Sequence, residues 1–143
     1  MDISKKIYII ILNYNGWSDT IECLNSMRKL LLEEPNISLI LVDNNSTNES
    51  VLEMNKWIDD FNIEYLSVSE DIPNCKEIEI IKNDVNIGFS GGNNVGISYA
   101  LSRGADYVML LNNDTIVTEN FINPLYNLLE NDAILGMVGP SIH

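Results

Sequence analysis

Asn112, Asn113 and Asp114 follow the apolar run from Tyr107 to Leu111, so a strand there delivers three polar side chains, one of them an acid, to its carboxyl end. In open α/β sheets ligands bind at that end. A carboxylate is a hard oxygen ligand and an adjacent amide a hydrogen-bonding neighbour, a pairing that suits a divalent cation carrying a phosphorylated ligand. The same tripeptide also makes an ordinary turn in which Asn and Asp satisfy their own backbone. The rest of the chain decides between the two.

Three further polar clusters follow apolar runs: Asn13-Tyr14-Asn15-Gly16, Asp43-Asn44-Asn45-Ser46, and the stretch from Asn86 to Asn94. Tyr14 offers a flat face to a base, or else anchors its own loop. Asp43 is an acceptor for a pyrimidine ring N–H or a ribose hydroxyl, or else it caps the helix that follows, with Ser46 as a competing cap. In Asn86-Ile87-Gly88-Phe89-Ser90-Gly91-Gly92-Asn93-Asn94 the glycines permit close backbone approach and a helix start offers free amides, which suits phosphate. Phe89 reads as a core plug. The run has neither the G-x-G-x-x-G order nor a Walker lysine, which argues against dinucleotide and P-loop enzymes.

These clusters need elements to hold them. Ile7 to Leu12 is a β-branched apolar run, expected as a strand buried on both faces. A helix then starts at a capping-box-like Asp19 and Glu22 and continues through Leu31 until Pro35. Ser38 to Val42 is the second strand, and Ser46 with Glu49 signals a helix bearing Val51, Met54, Ile58 and Phe61 on one face. Asn62 to Glu77 is ambiguous, with an alternating piece at Ile63 to Val68 that reads as an edge strand or an excursion. Glu77 to Lys82 is a third strand and Asn83 to Gly92 a loop; a helix from Ser90 or Gly91 to Arg103 is stopped by Gly104. Tyr107 to Leu111 is the fourth strand. Asn123 and Pro124 read as cap and first position of a helix ending near Glu130, and Ile134 to Val138 as a fifth strand. The alternation implies an α/β domain with a mainly parallel sheet and right-handed crossovers, all four polar clusters sharing one rim.

A formal net charge of −13 over 143 residues argues against nucleic acid and anionic membrane surfaces as partners. An anionic nucleotide would be repelled as well unless a cation or helix amino termini neutralise it, and with eight Lys and Arg in all an arginine cluster is not the expected solution. Cys23 and Cys75 read as two free thiols in a reducing compartment. With one His, zinc chemistry and Ser-His-Asp catalysis lack parts. A strand beginning so near Met1 leaves no room for a signal peptide, and no apolar run approaches the roughly 20 residues of a membrane span. The expectation is a cytoplasmic chain, with peripheral attachment at the inner membrane face left open.

Four segments in this order carry a resemblance: Ile9-Ile10-Ile11-Leu12-Asn13-Tyr14-Asn15, Val42-Asp43-Asn44-Asn45-Ser46-Thr47, Asn86 through Gly96, and Leu110-Leu111-Asn112-Asn113-Asp114. Over nearly its whole length the chain resembles the amino-terminal half of a family-two glycosyltransferase of the GT-A fold, in particular the rhamnosyltransferase-like branch. The resemblance implies transfer of a sugar from a nucleotide diphosphate donor, dTDP- or UDP-linked, to an acceptor hydroxyl with inversion, in cell wall or polysaccharide synthesis. The acceptor, saccharide or lipid-linked, is not implied. The nucleotide site it implies comprises Asn13, Tyr14, Asn15, Asp43, Asn86, Gly88, Gly92, Asn93 and Asn113. Asn112-Asn113-Asp114 takes the place of the D-x-D motif, with Mn²⁺ or Mg²⁺ on Asp114 and Asn112 standing where the first acid would be.

The resemblance implies a catalytic base in a second half, expected beyond residue 143. Glu130 and Asp132, on an exposed helix end, are not expected to replace it, so residues 1–143 are expected to bind donor but to turn over poorly or not at all. A non-catalytic nucleotide-binding module and a nucleotidyltransferase are the rival readings. The second would need a basic Gly-rich loop after the first strand, and Asn13 to Trp17 contains no Lys or Arg.

Overall fold

A computed structural model describes residues 3–68 and 76–140. The order is β1 (Ile7–Asn13), α1 (Trp17–Ser26), α2 (Arg28–Glu33), β2 (Ile37–Asp43), α3 (Ser50–Val68), β3 (Ile78–Lys82), α4 (Gly88–Ser102), β4 (Tyr107–Asn112) and α5 (Ile122–Asn131). The four strands form one parallel sheet in the order β3-β2-β1-β4. β1 and β2, in the middle, are buried almost throughout, as their continuous apolar runs require.

Side chains alternate across the sheet with period two. Ile7, Ile9 and Ile11 of β1 and Leu39 and Leu41 of β2 pack with Leu24 of α1, Leu31 of α2, Phe61 of α3 and Tyr126 of α5. Tyr8, Ile10, Ile40 and Val42 face the other way, onto Ala100 of α4. The register pairs Asn13 with Asp43, Asp43 with Lys82 and Leu12 with Asn112. All four strands therefore end level, and the polar clusters share one rim as expected.

Glycines in α4 bring that helix down onto the sheet. A Cβ on Gly96 would lie 2.5 Å from Ile10 Cγ2 and 3.2 Å from Val42 Cγ2, and one on Gly92 would lie 2.4 Å from Leu12 Cδ1. The run read as a phosphate cradle thus serves largely as a helix–sheet contact. Gly96→Ala is expected to destabilise the fold by about 1–2 kcal/mol, since overpacking costs roughly 1–3 kcal/mol and better helix propensity returns at most about 1. The urea midpoint should fall at unchanged slope; an unaltered midpoint would show that Ile10 yields freely.

Several local expectations are overturned. The first helix begins at Trp17, so Asp19 is not its cap but an acid in its first turn, well placed for the helix dipole. It also breaks at Met27 into α1 and α2. Ser46 does not cap α3, which begins at Ser50; there the Asn48 side chain accepts from the Ser50 N–H at 3.0 Å. Ile63 to Val68 is helix rather than strand, because the buried spacing continues at i+4: Trp57, Phe61 and Tyr65 stack with centroids 5.2 and 6.1 Å apart. The apparent alternation has no buried row, Ile63 being 71% exposed. Residues 69–75 of that ambiguous stretch, Cys75 among them, lie outside the described residues.

α4 starts at Gly88, two residues before the expected Ser90. Phe89 is 63% exposed and plugs nothing. α5 starts at Ile122 without a side-chain cap, leaving Pro124 within the first turn, where its missing N–H is not needed. Ile134 to Val138 forms no strand, and Ile134 is 93% exposed. An apolar run becomes a strand only against a partner edge, and Gly136 interrupts this one while Gly139 and Pro140 end it. Among the described residues no helix is long and apolar enough to cross a membrane.

The two sheet edges differ. β3 carries Glu79 and Lys82, the charges that commonly blunt an edge, whereas β4 carries none and exposes Val108 and Leu110. A recess of about 530 Å³ runs along β4 between Ile97, Leu110, Leu125 and Met137. It lies on the flank of the sheet, away from the polar rim.

Candidate functional site

Hydrogen bonds join the four rim loops into one structure. Asn13, fully buried, donates from Nδ2 to Asp43 Oδ1 at 2.9 Å and to Ser46 Oγ at 3.2 Å. Asp43, also fully buried, accepts the Ser46 N–H on Oδ2 at 2.9 Å and the Ser46 hydroxyl on Oδ1 at 2.6 Å. Asp43 therefore closes the turn at the end of β2 with its side chain, a turn in which Asn45 takes φ +65°. It caps no helix, and its oxygens are largely committed before any ligand arrives. Asn13 is likewise turned inward, so the pair shapes the rim from beneath.

Asn15 extends this bracing outward. With φ +53°, it donates its N–H to Ser46 Oγ at 2.8 Å and accepts the Thr47 N–H on Oδ1 at 2.8 Å. Tyr14 between them is 51% exposed, its ring available at the rim.

The third loop hangs on Asn44, which the sequence reading had not singled out as a site residue. It is 2% exposed, and all four valences of its amide are used. Nδ2 donates to Asn86 Oδ1 at 2.8 Å and Gly88 O at 3.1 Å, while Oδ1 accepts Asn83 Nδ2 at 3.2 Å and the Ile87 N–H at 3.1 Å. Asn86 also accepts the Gly88 N–H at 2.9 Å. Gly88 is the open glycine of the run, with φ +77° and nothing near a would-be Cβ. Gly92 and Asn93 are buried, Asn93 donating back to Phe89 O at 3.0 Å, so the structure does not bring them to the rim surface with Asn86 and Gly88.

At the fourth loop Asn112 and Asp114 are exposed and Asn113 is half-buried. Asn113 donates to Thr20 Oγ1 at 3.1 Å. Beneath them Cys23 is buried, its Sγ 3.8 Å from Asn112 O; burial and then the Asp114 charge push this thiol up to about 11. The ion pairs among the described residues involve Glu53, Glu64, Glu77 and Glu119, and none reaches Asp43 or Asp114. Asp114 is thus an uncompensated carboxylate at a strand end.

The residues fit one kind of metal site and not another. No group of three His, Cys, Asp or Glu occurs among the described residues, which rules out a cage built wholly from such side chains there. One carboxylate with a neighbouring amide suits Mg²⁺ or Mn²⁺ held jointly by protein, water and the phosphates of a ligand. Glu130 and Asp132 contribute nothing here: Glu130 accepts the Tyr107 hydroxyl at 2.6 Å, at the opposite end of β4, and Asp132 accepts the Ile134 N–H at 3.0 Å.

An open parallel sheet flanked by helices on both faces is the GT-A-like architecture, and solved structures share it. TarS of S. aureus, residues 1–349 in complex with UDP, superposes with TM-score 0.67 at 15% identity, over 95% of this chain and 38% of that one. Its complex with UDP-GlcNAc gives TM-score 0.67 at 16% identity, over 95% and 37%. The mannosyltransferase of Pyrobaculum calidifontis in complex with GDP-Man and Mn²⁺ gives 0.58 at 15%, over 79% and 30%. At such identities the likeness is one of fold.

The chain belongs to glycosyl transferase family 2, whose model matches residues 8–141. Curated relatives in Mycobacterium bovis and Mycobacterium tuberculosis, both uncharacterized proteins, are 43% identical over 56 residues, 38% of this chain and 21% of theirs. This chain thus covers about a fifth of their length.

Proposed function

We propose that residues 1–143 are the donor half of a metal-assisted, inverting glycosyltransferase that takes a uridine or thymidine diphosphate sugar, within the rhamnosyltransferase-like branch. The single observation that supports this best is the uncompensated Asp114 at the end of β4, level with a rim already braced by its own hydrogen bonds. Tyr14 gives the base a face to stack on, and Asn13, Asn15 and Asp43 hold that loop in place. Asn86 and Gly88 line the nucleotide, with Asn113 towards the ribose or sugar. A cation at Asp114 and Asn112, when bound, supplies Lewis-acid stabilisation of the departing diphosphate. The complexes of TarS with UDP and UDP-GlcNAc and of the mannosyltransferase with GDP-Man and Mn²⁺ lend support by analogy of fold.

The acceptor hydroxyl must lose a proton, and we assign its base to residues outside these 143, since Glu130 bonds Tyr107 at the far end of β4 and Asp132 accepts the Ile134 N–H beside it. The presence of one carboxylate where the motif commonly has two favours, as a second reading, a module that binds nucleotide without transfer. Calorimetric titration with UDP and dTDP, each with Mn²⁺ and with chelator, tests the proposal. Binding strengthened by Mn²⁺ is expected; equal affinity with chelator favours the second reading, and no binding in any arm sinks both.

A further inference from the structure

Thr20 lies in the first turns of α1, outside every polar cluster, yet it is fully buried with its hydroxyl among three rim groups. Oγ1 is 2.8 Å from Asn13 Oδ1, 3.1 Å from Gly16 O and 3.1 Å from Asn113 Nδ2. A hydroxyl has one hydrogen and two lone pairs. Since Asn113 approaches through its NH₂, Thr20 must accept there, and its own hydrogen goes to Asn13 Oδ1, the nearer acceptor at 2.8 Å, for which Thr20 is the donor, while Gly16 O has the Thr20 N–H at 3.1 Å. That choice fixes Asn13 as well. Its Oδ1 faces Thr20 and its Nδ2 faces Asp43; the flipped amide would set oxygen against carboxylate. The direction of donation therefore runs from Asn113 through Thr20 and Asn13 to Asp43, crossing from β4 to β1 to β2.

We propose that Thr20 is a positioning residue that fixes the spacing between the turn bearing Asp114 and the loops bearing Tyr14 and Asp43. A ligand bound at both ends, by base and by diphosphate with its cation, then meets a rim of set span. The ligand in this statement rests on the donor-binding reading above, whereas the relay rests on the hydrogen bonds alone.

Three variants separate the possibilities. Thr20→Val keeps the shape and removes the hydroxyl, and Thr20→Ser restores it. Gly16→Ala leaves Thr20 intact but sets a Cβ 2.9 Å from Asn113 Nδ2, displacing that amide. Two measurements apply: hydrogen exchange of the Asn113 side-chain amide by NMR without ligand, and titration with uridine and with UDP, with Mn²⁺ or chelator. In Thr20→Val the Asn113 amide should exchange faster. Uridine affinity should stay within about twofold while the Mn²⁺ enhancement of UDP binding falls about tenfold. Thr20→Ser should behave as wild type, and Gly16→Ala should lose the enhancement as Thr20→Val does.

Wild-type exchange and enhancement in Thr20→Val would overturn the relay, as would a Thr20→Ser variant no better than Val. If Thr20→Val does not fold, Gly16→Ala decides. If the wild type binds no UDP, the donor reading falls, and Asn113 exchange still decides whether Thr20 holds the turn.

Discussion

Asp114→Ala is expected to leave the fold intact and to weaken UDP binding in the presence of Mn²⁺ by one to two orders of magnitude, while binding with chelator changes little. Asp114 is exposed and takes part in no ion pair among the described residues, so its removal should alter stability by no more than about 0.5 kcal/mol. A carboxylate about 4 Å from a single positive charge is worth ~4 kcal/mol at an effective dielectric near 20. Hydration of an exposed site reduces that figure, and the remainder is the stated loss. Asn112→Asp should act in the opposite sense, adding a second hard ligand and tightening Mn²⁺. Calorimetry on the three proteins checks both; an Asp114→Ala chain that keeps its Mn²⁺ enhancement would remove the metal from this turn.

Asp43→Ala should fail differently, losing stability and nucleotide affinity together whether or not metal is present. Here the carboxylate is fully buried and three donors converge on it: Asn13 Nδ2, the Ser46 N–H and the Ser46 hydroxyl. Leaving the buried Asn13 donor without an acceptor costs about 1–3 kcal/mol, and the half-buried Ser46 donors add less because water can reach them, so a net loss of roughly 2–3 kcal/mol is expected, read as a lower urea midpoint. Uridine without phosphate should lose affinity as UDP does, because the loops that carry Tyr14 are no longer braced. A variant of wild-type stability would mean that water replaces the carboxylate at no cost.

These two acids show what could and could not be read along the chain. Their place at strand ends was legible because parallel strands buried on both faces are continuous apolar runs, and a polar residue ending such a run lies on the rim. The difference between them was not. Both read as ligands, yet one is exposed and the other is consumed by neighbours 30 and 3 residues away, a fact of tertiary packing.

Thr20 was invisible for the same reason, since one hydroxyl on a helix has no pattern. Gly92 shows that a glycine needed for close approach does not say what approaches; in the fold Leu12 is at that contact. Ile63 to Val68 and Ile134 to Val138 show that a short apolar alternation is not evidence of a strand until a partner edge exists. For the first, helical stacking prevailed over it.

The order of strands along the sheet has a kinetic side. β1 and β2 meet after a connection of two short helices, but β4 reaches β1 only after most of the chain has been made: the Lys6 N–H bonds to Asp106, 100 residues away. Closing that longer loop costs about 1 kcal/mol more than closing the first, and long-range pairing comes late in folding. The corner carrying Asp114 is then expected to be the last part of the rim to be assembled, after the base-side loops on β1 and β2. A nucleotide that spans both would meet a half-formed site at one end, and by holding the two together it would act as a clasp on the longest strand-to-strand connection of the sheet.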